Sequence, residues 1–337
     1  MSSDLLERAR AAAAFEPTPP RQQLAAKHVP FDTLCGRQET EQALDRAVRA
    51  GGRVVIMGGS GSGKSSMLAW AFRDEAAGLA PVRVPVAAED PQVVSQPGKF
   101  AAHAVATVAR EARLLSKRET RQLQASTRQE TRTLGVTLGP PAWLATGGIS
   151  AEIETVADRE PRSATEHIEM VRNVMEMISA KGLQPVLVVD DADQWVNGGV
   201  EDDLVRGFFS RVIRAMCESL PAAIVVAADS RYVNLPGYQA AQNVLGTRID
   251  IPKIPLPDGV ARILAHRIRI ATGGRLSDVM EESAVEAVST VYEKHGGSLR
   301  FTMLVAHSAL VAACEASVDL IAARHVNAAV ALWAEIA

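Results

Sequence analysis

Apolar residues recur along this chain in two rhythms, and the alternation between them sets the expected architecture. Val54-Val55-Ile56-Met57, Val186-Leu187-Val188-Val189 and Ala222–Ala228 are apolar at every position. Unbroken runs of this length read as strands buried on both faces. Val82–Val86 is a further strand with one polar face, and Pro85 places it near a sheet edge because proline cannot donate to a ladder. Arg248–Ile251 is a weaker strand. Between the strands the period lengthens to that of a helix. Ala43, Leu44, Ala47 and Val48 share one face, Met67–Phe72 continues the same way, and Ile168, Val171, Val174, Met175 and Ile178 line a helix over 165–180 closed by Lys181-Gly182. Another helix is expected over 202–219. Strands alternating with helices predict an α/β fold with a parallel sheet covered on both faces.

From Pro257 onward the strand pattern stops. Four helical stretches follow, 259–271, 282–294, 299–314 and 320–334, with Gly273-Gly274 and Gly296-Gly297 between them. The expected division is an N-terminal helix and linker (1–30, broken by Pro17, Pro19 and Pro20), an α/β domain (31–255) and a helical lid (256–337). Residues 87–99 read as loop and 100–131 as a long helix. That helix carries Arg110, Arg113, Lys117, Arg118, Arg121 and Arg128 against Glu111, Glu119 and Glu130. No aromatic residue interleaves these charges, so a solvated face outweighs a nucleic-acid contact. Residues 134–150, around Trp143, read as a hairpin or excursion rich in Gly, Pro and Thr.

In parallel sheets ligands bind at the C-terminal ends of strands, where Gly58, Asp190 and Asp229 all fall. Gly58-Gly59-Ser60-Gly61-Ser62-Gly63-Lys64-Ser65-Ser66 lies between an apolar strand and a helix. That context makes the G-x-x-x-x-G-K-[ST] spacing a phosphate-binding P-loop. Glycines let backbone N–H groups turn toward phosphate oxygens, and the helix N-terminus adds partial positive charge. Lys64 is placed to neutralise the β- and γ-phosphates of ATP and the Ser65 hydroxyl to ligate Mg²⁺. Asp190, ending an apolar strand, is the expected second holder of the Mg²⁺ shell, and Asp191 is placed to orient or deprotonate an attacking water. Arg231 follows one strand and Arg248 precedes the next, so either can approach the γ-phosphate. Arg300 opens a lid helix, where a cation opposes the helix dipole unless it meets a phosphate.

Composition narrows the class. Thirty-six Lys and Arg stand against 39 Asp and Glu, so a net charge of −3 makes no general nucleic-acid sponge. Three scattered cysteines, Cys35, Cys217 and Cys314, suit neither a disulfide framework nor a zinc site and fit a reducing cytoplasm. No apolar run reaches the ~18 residues of a membrane span, and no membrane partner is expected.

Together the P-loop, the run Val186–Asp191, the strand ending Asp229-Ser230-Arg231 and the helical appendage with Gly297-Ser298-Leu299-Arg300 resemble AAA+ P-loop ATPases. Within that class the chain is most similar to origin-recognition and bacterial initiator ATPases and to the related STAND ATPases, over about residues 31–335. The resemblance implies that Gly36 and Arg37, in Phe31–Glu39, belong to a box contacting adenine. It places Asp229 as sensor 1, Arg248 as an arginine finger acting on a neighbouring subunit, and Arg300 as sensor 2. Three features depart from the AAA+ pattern. Asp191 stands where glutamate is usual, which implies slow hydrolysis. Ser230-Arg231 resembles the STAND sensor as much as sensor 1. The span from Lys64 to Asp190 exceeds a minimal core, which marks an insertion at about 95–165. The implied activity is an ATP-dependent switch, cycling between ATP and ADP, that assembles into homo- or hetero-oligomers and controls a protein partner in a DNA-linked process. Alternatives are a STAND-like signalling or defence ATPase, a non-hydrolysing ATP-binding scaffold, and a small-molecule kinase, which the acid pair and lid disfavour.

Overall fold

The computed structural model describes residues 2–73, 78–86, 91–110, 163–190, 192 and 202–334. Five strands, β1 (Arg53–Met57), β2 (Leu79–Pro85), β3 (Gln184–Asp190), β4 (Ala223–Ala228) and β5 (Thr247–Asp250), form one sheet in the order β2-β3-β4-β1-β5. Every pairing is parallel. The expected α/β fold with a helical lid is what the chain adopts, and Pro85 does lie on an edge strand. Because β3, β4 and β1 are neighbours, their C-terminal ends bring Asp190, Asp229 and Gly58 to one crest.

The unbroken apolar runs are explained by period-two alternation between two cores. Val54, Ile56, Val186, Val188, Val225 and Ala227 face one core, and Val55, Met57, Leu187, Val189, Val226 and Ala228 the other. The first core takes Leu44 and Val48 from the helix Glu41–Arg49 and Met67 and Leu68 from the P-loop helix Lys64–Ala71. It continues into the lid through Ile254, Ile263, Leu264, Met303 and Leu310. The second core is filled by Phe100, Met175, Phe208 and Tyr232. Fully burying a side chain of this size contributes roughly 1.5–3 kcal/mol, so sheet and lid are fastened by one continuous apolar body.

The lid comprises helices Asp258–Thr272, Glu282–Lys294, Leu299–Glu315 and Ala323–Ala334. The last starts later than its hydrophobic pattern suggests, because Ile321 is drawn into a bridge with Met280. Among the described residues no helix is long and apolar enough to cross a membrane.

Three local expectations change. Residues 1–30 hold a second helix, Arg21–Lys27, beyond Ser2–Ala11, and the segment is a packed strap rather than a linker. Leu6, Ala9 and Phe15 are buried in the lid-side core. Arg8 donates to the Thr272 carbonyl (2.7 Å), and His266 Nε2 donates to that of Ala26 (2.8 Å). The first helix ends at Ala11, ahead of the left-handed Ala13 and before any of the three prolines, and Pro20 sits just ahead of the next helix, where a fixed φ does no harm. Within 87–99, Pro91–Ser95 is helical and a further helix runs from Pro97 to Arg110. Each begins with proline, which the first helical turn accepts. The helix over 202–219 loosens to a π-turn at Gly207–Ile213, where Gly207 packs against Ser95; a Cβ there would come within 2.8 Å of the Ser95 Cβ. The basic stretch beyond Arg110, the excursion around Trp143 and most of the insertion lie outside the described residues.

Candidate nucleotide site

The P-loop turns on two left-handed glycines, Gly61 (φ 73°) and Gly63 (φ 105°), the second capping the P-loop helix. Their lack of a side chain is also spatial. A Cβ on Gly61 would lie 2.7 Å from Ser298 Oγ and 2.8 Å from Arg300 Cβ, and one on Gly63 would lie 3.1 Å from the Phe31 ring. The Arg300 N–H donates to the Gly61 carbonyl (3.2 Å). The loop is therefore held between the strap and the lid. Gly61→Ala adds left-handed strain to a clash with the Arg300 stem and is expected to lower stability by about 2–4 kcal/mol. Urea unfolding measures this, and an unchanged midpoint contradicts the contact.

Lys64 is buried, its ammonium donating to the carbonyls of Gly58 (2.8 Å) and Gly59 (2.9 Å). Ser65 Oγ, in the first turn of the P-loop helix, donates to Asp190 Oδ1 (3.0 Å) at the end of β3, so the two expected Mg²⁺ holders meet. Asp190 is itself buried. Oxygen ligands of this kind suit a hard divalent cation. Ser62 Oγ is buried and has no hydrogen-bond partner among the described residues, a donor that a phosphate oxygen would satisfy. Gly61 to Ser66 line the cleft, and Gly58 and Gly59 serve it through the carbonyls that hold Lys64. Ser60 is exposed on the loop.

The other sequence candidates divide. Arg300 lines the cleft. Asp229, at the end of β4, is buried and accepts from the Arg231 backbone N–H (2.8 Å), its Nε (3.0 Å) and its terminal nitrogen (3.1 Å). Arg231 is thus folded back on Asp229 rather than reaching over the P-loop. Arg248 lies within β5, opposite Val55, and pairs with Asp250 (2.6 Å), away from the cleft wall. Gly36 caps the short helix Phe31–Cys35 in the left-handed region, and Arg37 is exposed beside Glu39; neither lines the cleft. Asp191 lies outside the described residues.

Phe31, which opens the segment expected to contact adenine, lines the cleft, and the rest of its wall comes from residues that sequence patterning passed over. Pro17, Pro19, Leu24 and Val29 of the strap, with Phe31 just beyond it, face Ile263 and Met303 of the lid, an apolar slot of the kind that takes a base. Beside it His28 is fixed at both ring nitrogens, Nε2 to Glu41 Oε1 (2.9 Å) and Nδ1 to Ser66 Oγ (3.2 Å). The Glu41 carboxylate also accepts the N–H groups of Phe31 (2.8 Å) and Asp32 (2.9 Å). Burial alone would raise its pKa, but the hydrogen bonds from His28, Asp32 and Phe31 and the His28 charge outweigh that and hold it below the usual value. Two further cations, Lys27 and Arg267, line the wall. Burial lowers Arg267 to about 10, and burial together with the Arg267 charge lowers Lys27. Apart from the segment that Phe31 opens, only the Pro-rich strap flagged this side in the sequence, and proline read as linker.

Comparison with known proteins places this geometry. A family model described as novel STAND NTPase 1 matches residues 30–251. No protein of curated function matches the chain. Among solved structures it is similar to the ORC1 protein of Aeropyrum pernix in complex with DNA, at 14% identity and a TM-score of 0.54, covering 93% of this chain and 70% of that one. It is also similar to Cdc6p from Pyrobaculum aerophilum, at 14% identity and 0.53, covering 92% and 67%. The ADP form of the Aeropyrum pernix ORC2 protein aligns at 18% identity and 0.54, covering 95% and 72%. At such identities these likenesses show the fold alone, a parallel α/β sheet with a helical appendage. The family match spans well over half of the sequence and contains the P-loop, Asp190 and Asp229, and the chain belongs to the novel STAND NTPase 1 family of P-loop NTPases.

Proposed function

We propose that this protein is an ATP-binding, slowly hydrolysing nucleotide switch whose ATP form assembles and acts on a protein partner. The observation that carries the reading is that three bodies meet on one cleft: the P-loop, Phe31 just beyond the strap and Arg300 of the lid. A ligand shifts a conformational equilibrium only through contacts that differ between states, and only ATP offers a γ-phosphate here. Lys64 leaves the Gly58 and Gly59 carbonyls to meet the β- and γ-phosphates, while Ser65 and Asp190 hold Mg²⁺. Asp191 orients the water that displaces ADP from phosphate. Arg231 leaves Asp229 to read the γ-phosphate in cis, Arg300 reads it from the lid, and Arg248, away from the cleft wall, leaves Asp250 to act on a neighbouring subunit's nucleotide. Gly36 and Arg37 bear on the adenine side only through Phe31, which opens the short helix that Gly36 caps.

Steady-state ATP turnover by wild type and Asp191→Ala tests the chemistry. Slow turnover that falls at least about 100-fold in the variant fits loss of a positioned general base. Equal rates contradict hydrolysis at this site and leave an ATP-binding scaffold. The family match favours STAND-type signalling as the output. A DNA-linked output is the second reading, favoured by the likeness to a structure solved in complex with DNA. Duplex binding that weakens steeply between 50 and 200 mM salt, as counterion release requires, selects it; no binding at low salt removes it.

A further inference from the structure

Among the described residues four formally charged Lys and Arg side chains line the nucleotide cleft, Lys27, Lys64, Arg267 and Arg300, and the strap and lid side of its wall carries no aspartate or glutamate. Lys64 and Arg300 lie at the P-loop, where a triphosphate brings its charge. Lys27 and Arg267 lie on strap and lid. Lys27 ends the helix Arg21–Lys27 just before His28 and Val29, and Arg267 follows Ile263 by one turn of the first lid helix, on the same face. Both therefore flank the apolar slot rather than the phosphate cradle.

Each is costly to keep there. Among the described residues the ammonium of Lys27, which is 7% exposed, donates only to the Ala13 carbonyl (2.8 Å). Arg267 donates one terminal nitrogen to the Glu16 carbonyl (2.9 Å), while its buried Nε has no partner among those residues. Neither forms an ion pair among the described residues. The Glu16 carboxylate acts on both only at a distance. A buried cation without an anion is destabilising, and a half-buried second cation nearby adds to the cost. A guanidinium with an open donor beside an ammonium is the chemistry that binds phosphate. Yet the nucleoside portion of an ordinary triphosphate is neutral.

We propose that Lys27 and Arg267 form a second anion subsite for a phosphate carried on the nucleoside portion of the ligand, at the ribose 2′ or 3′ hydroxyl. The preferred ligand is then a nucleotide phosphorylated at both ends. This rests on the nucleotide reading of the P-loop. An alternative role for the same cations is a clamp that pins the strap turn at Ala13–Glu16 to the lid.

Calorimetric titration of the wild-type protein with ATP, 2′-phospho-ATP and 3′-phospho-ATP decides. At least about tenfold tighter binding of one phosphorylated form is expected, and which one identifies the hydroxyl. Lys27→Met and Arg267→Met, which keep an apolar stem, are expected to erase that preference, bringing the ratio of affinities for the favoured phosphorylated form and for ATP to about one. Equal or weaker binding of both phosphorylated forms by wild type overturns the subsite, whatever the variants do. Variants that weaken all three ligands alike assign the pair to the clamp and also overturn it. Binding of none of the three defeats the nucleotide reading itself, a distinguishable failure.

Discussion

Lys64→Ala is expected to lower ATP affinity by about 30-fold to several thousandfold, corresponding to the roughly 2–5 kcal/mol lost when one partner of a buried charge pair is truncated. The ammonium is buried and preset by two carbonyls of its own loop, so it meets phosphate without first being ordered. Loss of those two hydrogen bonds leaves the Gly58 and Gly59 carbonyls only their backbone donors, the N–H groups of Ser230 (3.4 Å) and Ser62 (3.2 Å). At about 1 kcal/mol each, this predicts a modest drop in unfolding midpoint beside the large drop in affinity. The two effects separate in one preparation, by ATP titration and urea unfolding. Affinity within threefold of wild type would mean that the loop does not bind the triphosphate.

Glu41→Ala is expected to cost about 3–5 kcal/mol, since each buried donor left without its partner costs about 1–3 kcal/mol. Three donors converge on this carboxylate, from His28, Phe31 and Asp32, and its loss strands them all in a part of the strap that touches the P-loop helix through Ser66. The effect has a pH signature. The folded pKa of Glu41 lies below its ordinary value, so the ionised form is the stabilised one. Its contribution is present above an ordinary glutamate pKa of about 4.3 and is lost as pH falls through the depressed value. Urea midpoints from pH 7 down to pH 3 should therefore converge for wild type and Glu41→Gln, since glutamine accepts hydrogen bonds without ionising. A gap that persists or widens at pH 3 would contradict the assignment.

The crest of the sheet was legible because its signals are local. An apolar run ending in Asp190, another ending in Asp229 and a glycine loop ending in Lys64 each announce a strand end within a few residues. A parallel sheet then brings strand ends together whatever their order. Side-chain direction is a different matter. Arg231 and Arg248 sit at sequence positions suited to a γ-phosphate, yet each pairs with a carboxylate two residues away, Asp229 and Asp250. That competition depends on rotamers and not on pattern. The strap was misread for a further reason. Pro17, Pro19 and Pro20 signal a break in a helix equally well in a linker and in a packed turn. What makes this turn structural is distant chain, Arg267 meeting Glu16 and Arg8 meeting Thr272. No window of a few residues contains both partners. Glu41 shows the same limit, since a glutamate opening a helix looks like ordinary complement to the helix dipole until His28 is seen beside it.

Molar mass by light scattering, taken in saturating ATP with Mg²⁺ and again in ADP, tests the central claim most directly. The account predicts a larger assembly in ATP that reverts in ADP and fails to form in Lys64→Ala. One mass in both nucleotides, with binding of each demonstrated in the same sample, would contradict a nucleotide switch.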